Sequence, residues 1–285
     1  MTIAVTGGNG EFGSAVIARL RHLTDQPVVA TVRDVSTGRR FAGVDYRPGD
    51  FDDPDSLRAS LTGVDTVLLN ATFFGPDPAR RLPRVTAALG AAADAGVGRI
   101  VLTSWPDLEN ATMPAVQDYR RLEAAVKSAG PSWTVIRLSV GLGDAVARDV
   151  VWGRKAGELV APAEDARVTP AAVTDLAEAA AAVLTQAGHE GEVVELTGPD
   201  AIGWHDVAKL AGVPFRAVSD EEYLAYLTET FTLPEASARQ LGALYADFRG
   251  PWASTPTTTV TDLIGHPALP GIEAVQRRVA AFPAG

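Results

Sequence analysis

The chain has 285 residues, 46% of them hydrophobic and 21% charged, so it can bury a sizeable core and is not compositionally disordered. Its formal net charge is −10 and it has no compact basic stripe, which argues against a nucleic-acid surface. With no cysteine, it has no disulfide, thiolate metal site or cysteine nucleophile.

The first strand, Ile3 to Val5, begins so early that no signal peptide is expected before it. No apolar run reaches membrane-spanning length, Ala177 to Leu184 being far too short. The expected location is therefore the cytoplasm. The strand stops at Gly7, Gly8, Gly10 and Gly13, and a helical pattern of Ala15, Val16, Ile17, Leu20 and Leu23 follows. Strand, glycine turn and helix in that order form a nucleotide-binding context. Glycines let a pyrophosphate approach the backbone, and the helix N-terminus offers it free N–H groups. Two registers overlap, Gly8-x-Gly10-x-x-Gly13 and the looser Gly7-x-x-Gly10-x-x-Gly13.

Pro27 to Val32 reads as a buried strand ending in Arg33-Asp34, where an adenosine ribose is recognised. Arg33 suits the 2′-phosphate of NADP, while Asp34 keeps NAD open. A weak strand, Val44 to Arg47, leads to Gly49-Asp50-Phe51. Asp53-Pro54 then reads as a helix cap, and the acids Asp52, Asp53 and Asp55 read as cap chemistry rather than a metal site. Val64 to Asn70 is the fourth strand, followed by a helix from about Pro83 to Ala95. Arg80, Arg81 and Arg84 read as coating its solvated face. Arg99 to Ser104 is the fifth strand, Pro114 to Ala129 a helix, and Trp133 to Leu138 the sixth strand. This alternation predicts an α/β fold with a doubly wound parallel sheet. From Gly141 the pattern loosens. A helix from Thr174 and a strand from Glu192 to Leu196 follow, then helices at 204–211, 220–230, 234–248 and 271–282. The expected division is a dinucleotide-binding domain at 1–198, with 140–160 also lining the substrate site. A small, mostly helical capping lobe is expected at 199–285.

Thr6-Gly-Gly-Asn-Gly-Glu-Phe-Gly13 resembles the T-G-x-x-G-x-x-G signature of atypical and extended short-chain dehydrogenases/reductases. Arg33, the Gly49-Asp50-Phe51 corner and Asn70-Ala71 are similar to cofactor-contacting positions of the NmrA-like branch. The segments Tyr119 to Glu123, Ser128 to Arg137, Val173 to Glu178 and Val194 to Pro199 also match that branch. The resemblance runs from residue 1 to about 212, fades beyond, and favours the Gly7-Gly10-Gly13 register. It implies a cofactor site at Thr6, Gly7, Asn9, Gly10, Glu11, Phe12, Gly13, Arg33, Asp50, Phe51, Asn70, Ala71 and Thr72, with NADP(H) preferred and NAD(H) open. The branch includes NADPH-dependent quinone reductases, relatives of isoflavone reductases, and redox sensors that bind dinucleotide without turnover.

Most of the wider superfamily uses a Tyr-x-x-x-Lys pair with a serine at the end of strand five. Ser104 and Tyr119 match the serine and the tyrosine, but Glu123 stands where lysine is expected and Lys127 is two turns away. A carboxylate one turn from the phenol would disfavour its phenolate. His22, His189, His205 and His266 show no metal-ligand spacing, and no Gly-x-Ser-x-Gly elbow occurs. Phe73, Phe74, Trp105 and Trp152 are the candidate walls of a pocket for a flat substrate.

These features predict an NADPH-dependent reductase passing hydride to a quinone-like or conjugated carbonyl compound, with Ser104 and Tyr119 as catalytic candidates. The alternatives are a non-catalytic NADP(H)-binding redox sensor that engages a partner, and an isomerase or dehydratase that retains NADP. The expected partner is a small-molecule substrate, with no nucleic acid or membrane; a homodimer stays open.

Overall fold

The computed structural model describes residues 1–71 and 78–281. Thr72, Phe73 and Phe74 lie outside the described residues. The chain divides into two compact units: Met1–Trp105 with Pro114–Leu138 and Val173–Glu195, and Pro106–Met113 with Ser139–Ala172 and Leu196 onward.

The first unit starts with β1 (Ile3–Thr6), α1 (Glu11–Leu23), β2 (Val28–Val32), β3 (Val44–Pro48), α2 (Pro54–Ser60) and β4 (Thr66–Leu69). It continues through α3 (Arg81–Asp94), β5 (Arg99–Ser104), α4 (Pro114–Lys127) and β6 (Ser132–Leu138). The chain next forms α5 (Val140–Ala156), β7 (Leu159–Ala161) and β8 (Arg167–Val168), then α6 (Val173–Thr185) and β9 (Val193–Leu196). The sheet order is β3-β2-β1-β4-β5-β6-β9, and every registered pair from β3 to β6 is parallel. The Val135 N–H donates to the Glu192 carbonyl at 2.9 Å, which carries the ladder to β9.

This order reverses direction between β1 and β4, and in open α/β sheets ligands bind beyond the strand ends at such a point. Strands β1, β2, β4 and β5 are buried along their whole length, which accounts for their continuous apolar character. Helices α1 and α6 pack together, and so do α2, α3 and α4. Leu57, Leu61, Val85, Leu89, Leu122 and Val126 fill the core beneath α2, α3 and α4. Each such side chain contributes about 1.5–3 kcal/mol on burial.

Most element starts fall within two residues of expectation, β4 for instance beginning at Thr66 rather than Val64. Helix α3 begins at Arg81 rather than Pro83, because a proline in the first turn forfeits only an N–H that has no intrahelical acceptor. The glycine-punctuated stretch from Gly141 is helical and forms α5. There Leu142, Ala145, Val146 and Val150 are buried at helical spacing, which offsets the cost of the glycines. At Gly153 an added Cβ would stand 3.2 Å from the Leu159 Cβ, so the absent side chain lets β7 pack against the helix.

The second unit adds β10 (Ile202–Gly203), α7 (Trp204–Ala211), β11 (Phe215–Ala217), α8 (Asp220–Thr230), α9 (Glu235–Phe248), α10 (Thr259–Ile264) and α11 (Gly271–Ala281). Helix α5 packs on α7 and α11, and α8 on α9. Ser219 caps α8 by accepting the Glu222 N–H while the Glu222 carboxylate accepts the Ser219 N–H, the predicted capping box. Buried Asp149 sits among aromatic rings in this unit. Its Oδ2 accepts from Trp204 Nε1 at 2.8 Å and from the Tyr245 hydroxyl, and its Oδ1 accepts from Arg148 Nη2 at 3.2 Å. Tyr223 stands edge-on to Tyr245 at 5.0 Å between centroids.

Candidate functional site

A cavity of about 630 Å³ lies along the first unit's strand ends, lined by Gly7, Asn9, Gly10, Thr31, Val32, Arg33, Asp34, Thr37, Gly49, Asp50, Phe51, Asp52, Asn70, Arg81, Arg84 and Val85. Its floor is the glycine turn. Gly7 has φ +65°, a conformation that glycine adopts without penalty. A Cβ on Gly13 would stand 2.4 Å from the Gly7 carbonyl oxygen, so α1 can meet the turn only without a side chain there. Gly8 serves the other register: its N–H donates to the Thr31 carbonyl at 3.0 Å, and a Cβ would meet that of Ala30 at 2.9 Å. No side chain caps α1 at Gly10. A glycine cradle beneath an uncapped helix N-terminus is suited to a phosphate group.

Asn9 ties the turn sideways, donating from Nδ2 to the Thr37 carbonyl at 3.1 Å. The loop it reaches is wound on Asp34, whose carboxylate accepts the Ser36 hydroxyl at 2.6 Å and N–H at 2.7 Å. Those two bonds hold the Asp34 carboxyl below its ordinary range. Between these anchors Arg33 is exposed and lines the cavity, without a hydrogen bond or ion pair among the described residues. Gly49 lets β3 pass close to α2, since a Cβ there would meet Ser60 Oγ at 2.8 Å. The Asp50 N–H donates to Ser56 Oγ at 3.1 Å, and its Oδ1 accepts the Asp52 N–H at 3.0 Å. Phe51 packs on the core beside it.

The acidic run divides its labour. Asp53 caps α2 by accepting the Ser56 N–H at 3.1 Å, and Asp55 pairs with Arg58 at 3.1 Å, while Asp52 is no cap. Asp52 accepts from Arg84 Nε at 2.5 Å, from Arg84 Nη2, and from Arg80 Nη2 at 2.7 Å. These bonds and the charges of Arg80, Arg84 and Arg33 hold its carboxyl below its ordinary range. Arg81, expected on a solvated face, is 2% exposed. Its Nη1 lies 3.7 Å from Asp118, and its guanidinium lies 5.2 Å from the Tyr119 ring centre. Arg81 and Arg84 are cavity residues that the sequence reading missed. Their spacing of three, which places two side chains on one helix face, was the available signal.

At the ends of β4 and β5, Thr6 Oγ1 donates to the Leu68 carbonyl at 3.0 Å and accepts the Asn70 N–H at 2.8 Å. The buried Ala71 N–H donates to Thr103 Oγ1 at 2.6 Å. Glu11 is exposed in the first turn of α1 and Phe12 is buried, and neither lines the cavity.

Ser104 is 1% exposed and donates to Glu123 Oε1 at 2.7 Å. The same carboxylate receives Arg137 Nε at 2.9 Å and Nη2 at 3.0 Å, while Arg137 Nη1 reaches Glu195 at 2.8 Å. Glu123 therefore faces β5 and β6, and does not set the state of the phenol as expected. Burial does that instead: Tyr119 is 1% exposed and its phenol pKa is pushed up to about 12. Among the described residues its hydroxyl has no hydrogen-bond partner, and the Trp105 ring lies 5.9 Å away. At neutral pH this is a protonated phenol.

Trp152 belongs to the second unit. It stacks on Phe231 with centroids 4.6 Å apart, beside a small cavity also lined by Asp149, Tyr223 and Tyr226. Among the described residues no cluster of acids and histidines could hold a metal, and no helix is long and apolar enough to cross a membrane.

A model of the NAD(P)H-binding family matches residues 7–187. An NAD(P)H azoreductase of Xenophilus azovorans is 30% identical over 295 residues, covering 99% of each protein. A triphenylmethane reductase of Citrobacter sp. matches with a TM-score of 0.88 and 27% identity, over 98% of this chain and 100% of that one. The NADPH-dependent quinone oxidoreductase of Escherichia coli, complexed with NADPH, matches with a TM-score of 0.86 and 26% identity, over 97% of this chain and 99% of that one.

Proposed function

The chain belongs to the NAD(P)H-binding family, and from that premise we propose that it is an NADPH-dependent reductase that passes hydride to a quinone-like or dye-like conjugated molecule. The observation that carries this is one cavity holding both a side-chain-free glycine cradle and Arg33, which makes no hydrogen bond or ion pair among the described residues. Azo, quinone and triphenylmethane compounds, after which the similar proteins are named, share an extended conjugated system.

Bound NADPH supplies the hydride. The chain's residues bind and orient it. Gly7, Gly10 and Gly13 receive the pyrophosphate on the backbone and the helix N-terminus. Arg33 takes the 2′-phosphate as a planar, always-charged donor. Asn9, Asp50, Phe51, Asn70 and Ala71 are assigned to the rest of the dinucleotide. A quinone would spread the incoming negative charge, so that one proton, delivered afterwards, completes its reduction to the hydroquinone; a cationic triphenylmethane dye would be complete on hydride transfer alone. Ser104 Oγ–H is already given to Glu123, whereas the Tyr119 phenol keeps its proton. That contrast supports Tyr119 or solvent over Ser104 as the proton source, with Ser104 holding the strand end in place. Trp105 is the aromatic side chain assigned to stack on a flat substrate; Trp152 is already stacked on Phe231. Lacking cysteine, the chain gains nothing from an oxidising compartment, and we place it in the cytoplasm.

Purified protein mixed with NADPH and a panel of quinones, azo dyes and triphenylmethane dyes should oxidise the cofactor with at least one of them. Tight binding without oxidation across the panel would return the chain to the redox-sensor reading. Arg33→Glu should weaken NADPH about a hundredfold, the size expected for a lost charge-assisted contact. NADH should weaken far less, and equal losses would remove Arg33 from the site.

A further inference from the structure

Arg33 shares its cavity with an acid, Asp52. A bare carboxylate there would oppose a phosphate that carries nearly two negative charges, and would also compete for Arg33. Asp52 is not bare. Arg84 grips both of its oxygens, Nε on Oδ1 at 2.5 Å and Nη2 on Oδ2, while Arg80 Nη2 donates to Oδ1 at 2.7 Å. Arg80 and Arg84 stand four residues apart at the start of α3, on one side of the helix, so both reach the same carboxylate. The Arg84 side chain is 18% exposed and that of Asp52 38%, so the fork is held partly out of water, where an ion pair is screened less. Arg33, by contrast, makes no hydrogen bond or ion pair among the described residues.

We propose that Arg84, with Arg80, determines cofactor specificity indirectly: by engaging Asp52 it keeps that carboxylate from pairing with Arg33 or repelling the 2′-phosphate. Arg84 acts through Asp52 and is a positioning residue. This rests on Arg33 as the 2′-phosphate ligand. A merely structural clamp, tying the 50–53 turn to α3, would lower affinity for both dinucleotides alike. The specificity role alters their ratio.

The test is a double-mutant cycle with dissociation constants for NADPH and NADH measured by calorimetry on wild type, Arg84→Gln, Asp52→Asn and the double variant. Arg84→Gln should lower the preference for NADPH over NADH about tenfold, the scale of one unmasked charge beside a doubly charged group near a protein surface. Asp52→Asn in that background should restore the preference to within about twofold, since the masked charge is then gone. An unchanged ratio in Arg84→Gln, or a shift that Asp52→Asn fails to reverse, overturns the proposal. Should Arg84→Gln not fold, Asp52→Asn alone decides: it leaves two arginines unneutralised and should raise the NADPH preference, and a fall overturns the proposal. If wild type prefers NADPH and the cycle shows no coupling, the clamp alone fails. If wild type binds neither dinucleotide, the proposed function fails with it.

Discussion

Asp52 and Asp149 are both carboxylates gripped by arginine, but the Asp52 side chain is 38% exposed and faces a cavity, whereas that of Asp149 is 4% exposed. Asp149 has given up its water and must be repaid by every partner it has: Trp204, Tyr245 and Arg148. Asp52 keeps part of its hydration, so loss of its arginine fork should cost the fold little. The comparison separates two uses of one chemical pairing. Inside the second unit it fixes which rings and helices meet; at the cavity it sets which charges a ligand finds.

The sharpest way to break this comparison is Asp149→Ala. It strands the buried Arg148 charge and should cost about 3–5 kcal/mol in denaturant unfolding. A cost below about 1 kcal/mol would show that the cluster is wet.

A second test raises the pH. Burial pushes Tyr119 up to about 12 and lifts Tyr223 and Tyr245 as well. For a group raised in the folded state, the stability contribution is whole below about pH 10, the unfolded value, and is lost as pH climbs through the folded one. Tyr119 alone accounts for about 3 kcal/mol across that window. Tyrosinate absorbance from these residues should therefore rise only together with unfolding. Its appearance near pH 10 in a chain still folded by circular dichroism would contradict their burial.

The smallest expected effect is on the other side of the comparison. Asp52→Asn should leave stability nearly unchanged while it alters cofactor preference. A clear loss in thermal unfolding would make Asp52 as structural as Asp149.

The alternation of buried strands and amphipathic helices was legible in the sequence because β1, β2, β4 and β5 are buried along their whole length and read as continuous, mostly apolar runs. The glycine turn was legible because Gly7, Gly10 and Gly13 converge on one peptide, a local matter of spacing. What could not be read depends on pairs far apart in the chain. Glu123 looked like a neighbour of Tyr119, one turn away; in the sheet register Ser104 stands opposite Arg137, and Glu123 turns to both. Arg81 looked solvated because nothing nearby in sequence buries it; its partners Asp118 and Tyr119 come from α4. Helix α5 was hidden by its glycines, whose low helix propensity masked a buried stripe that only packing partners reveal.

The cradle at Gly7, Gly10 and Gly13 presents peptide groups, which neither gain nor lose a proton between about pH 5 and 9. No histidine lines the cavity. NADPH affinity in that range should therefore follow the ligand's own titration, rising as its 2′-phosphate loses its second proton near about pH 6. NADH, which lacks that group, should bind with an affinity nearly flat in pH.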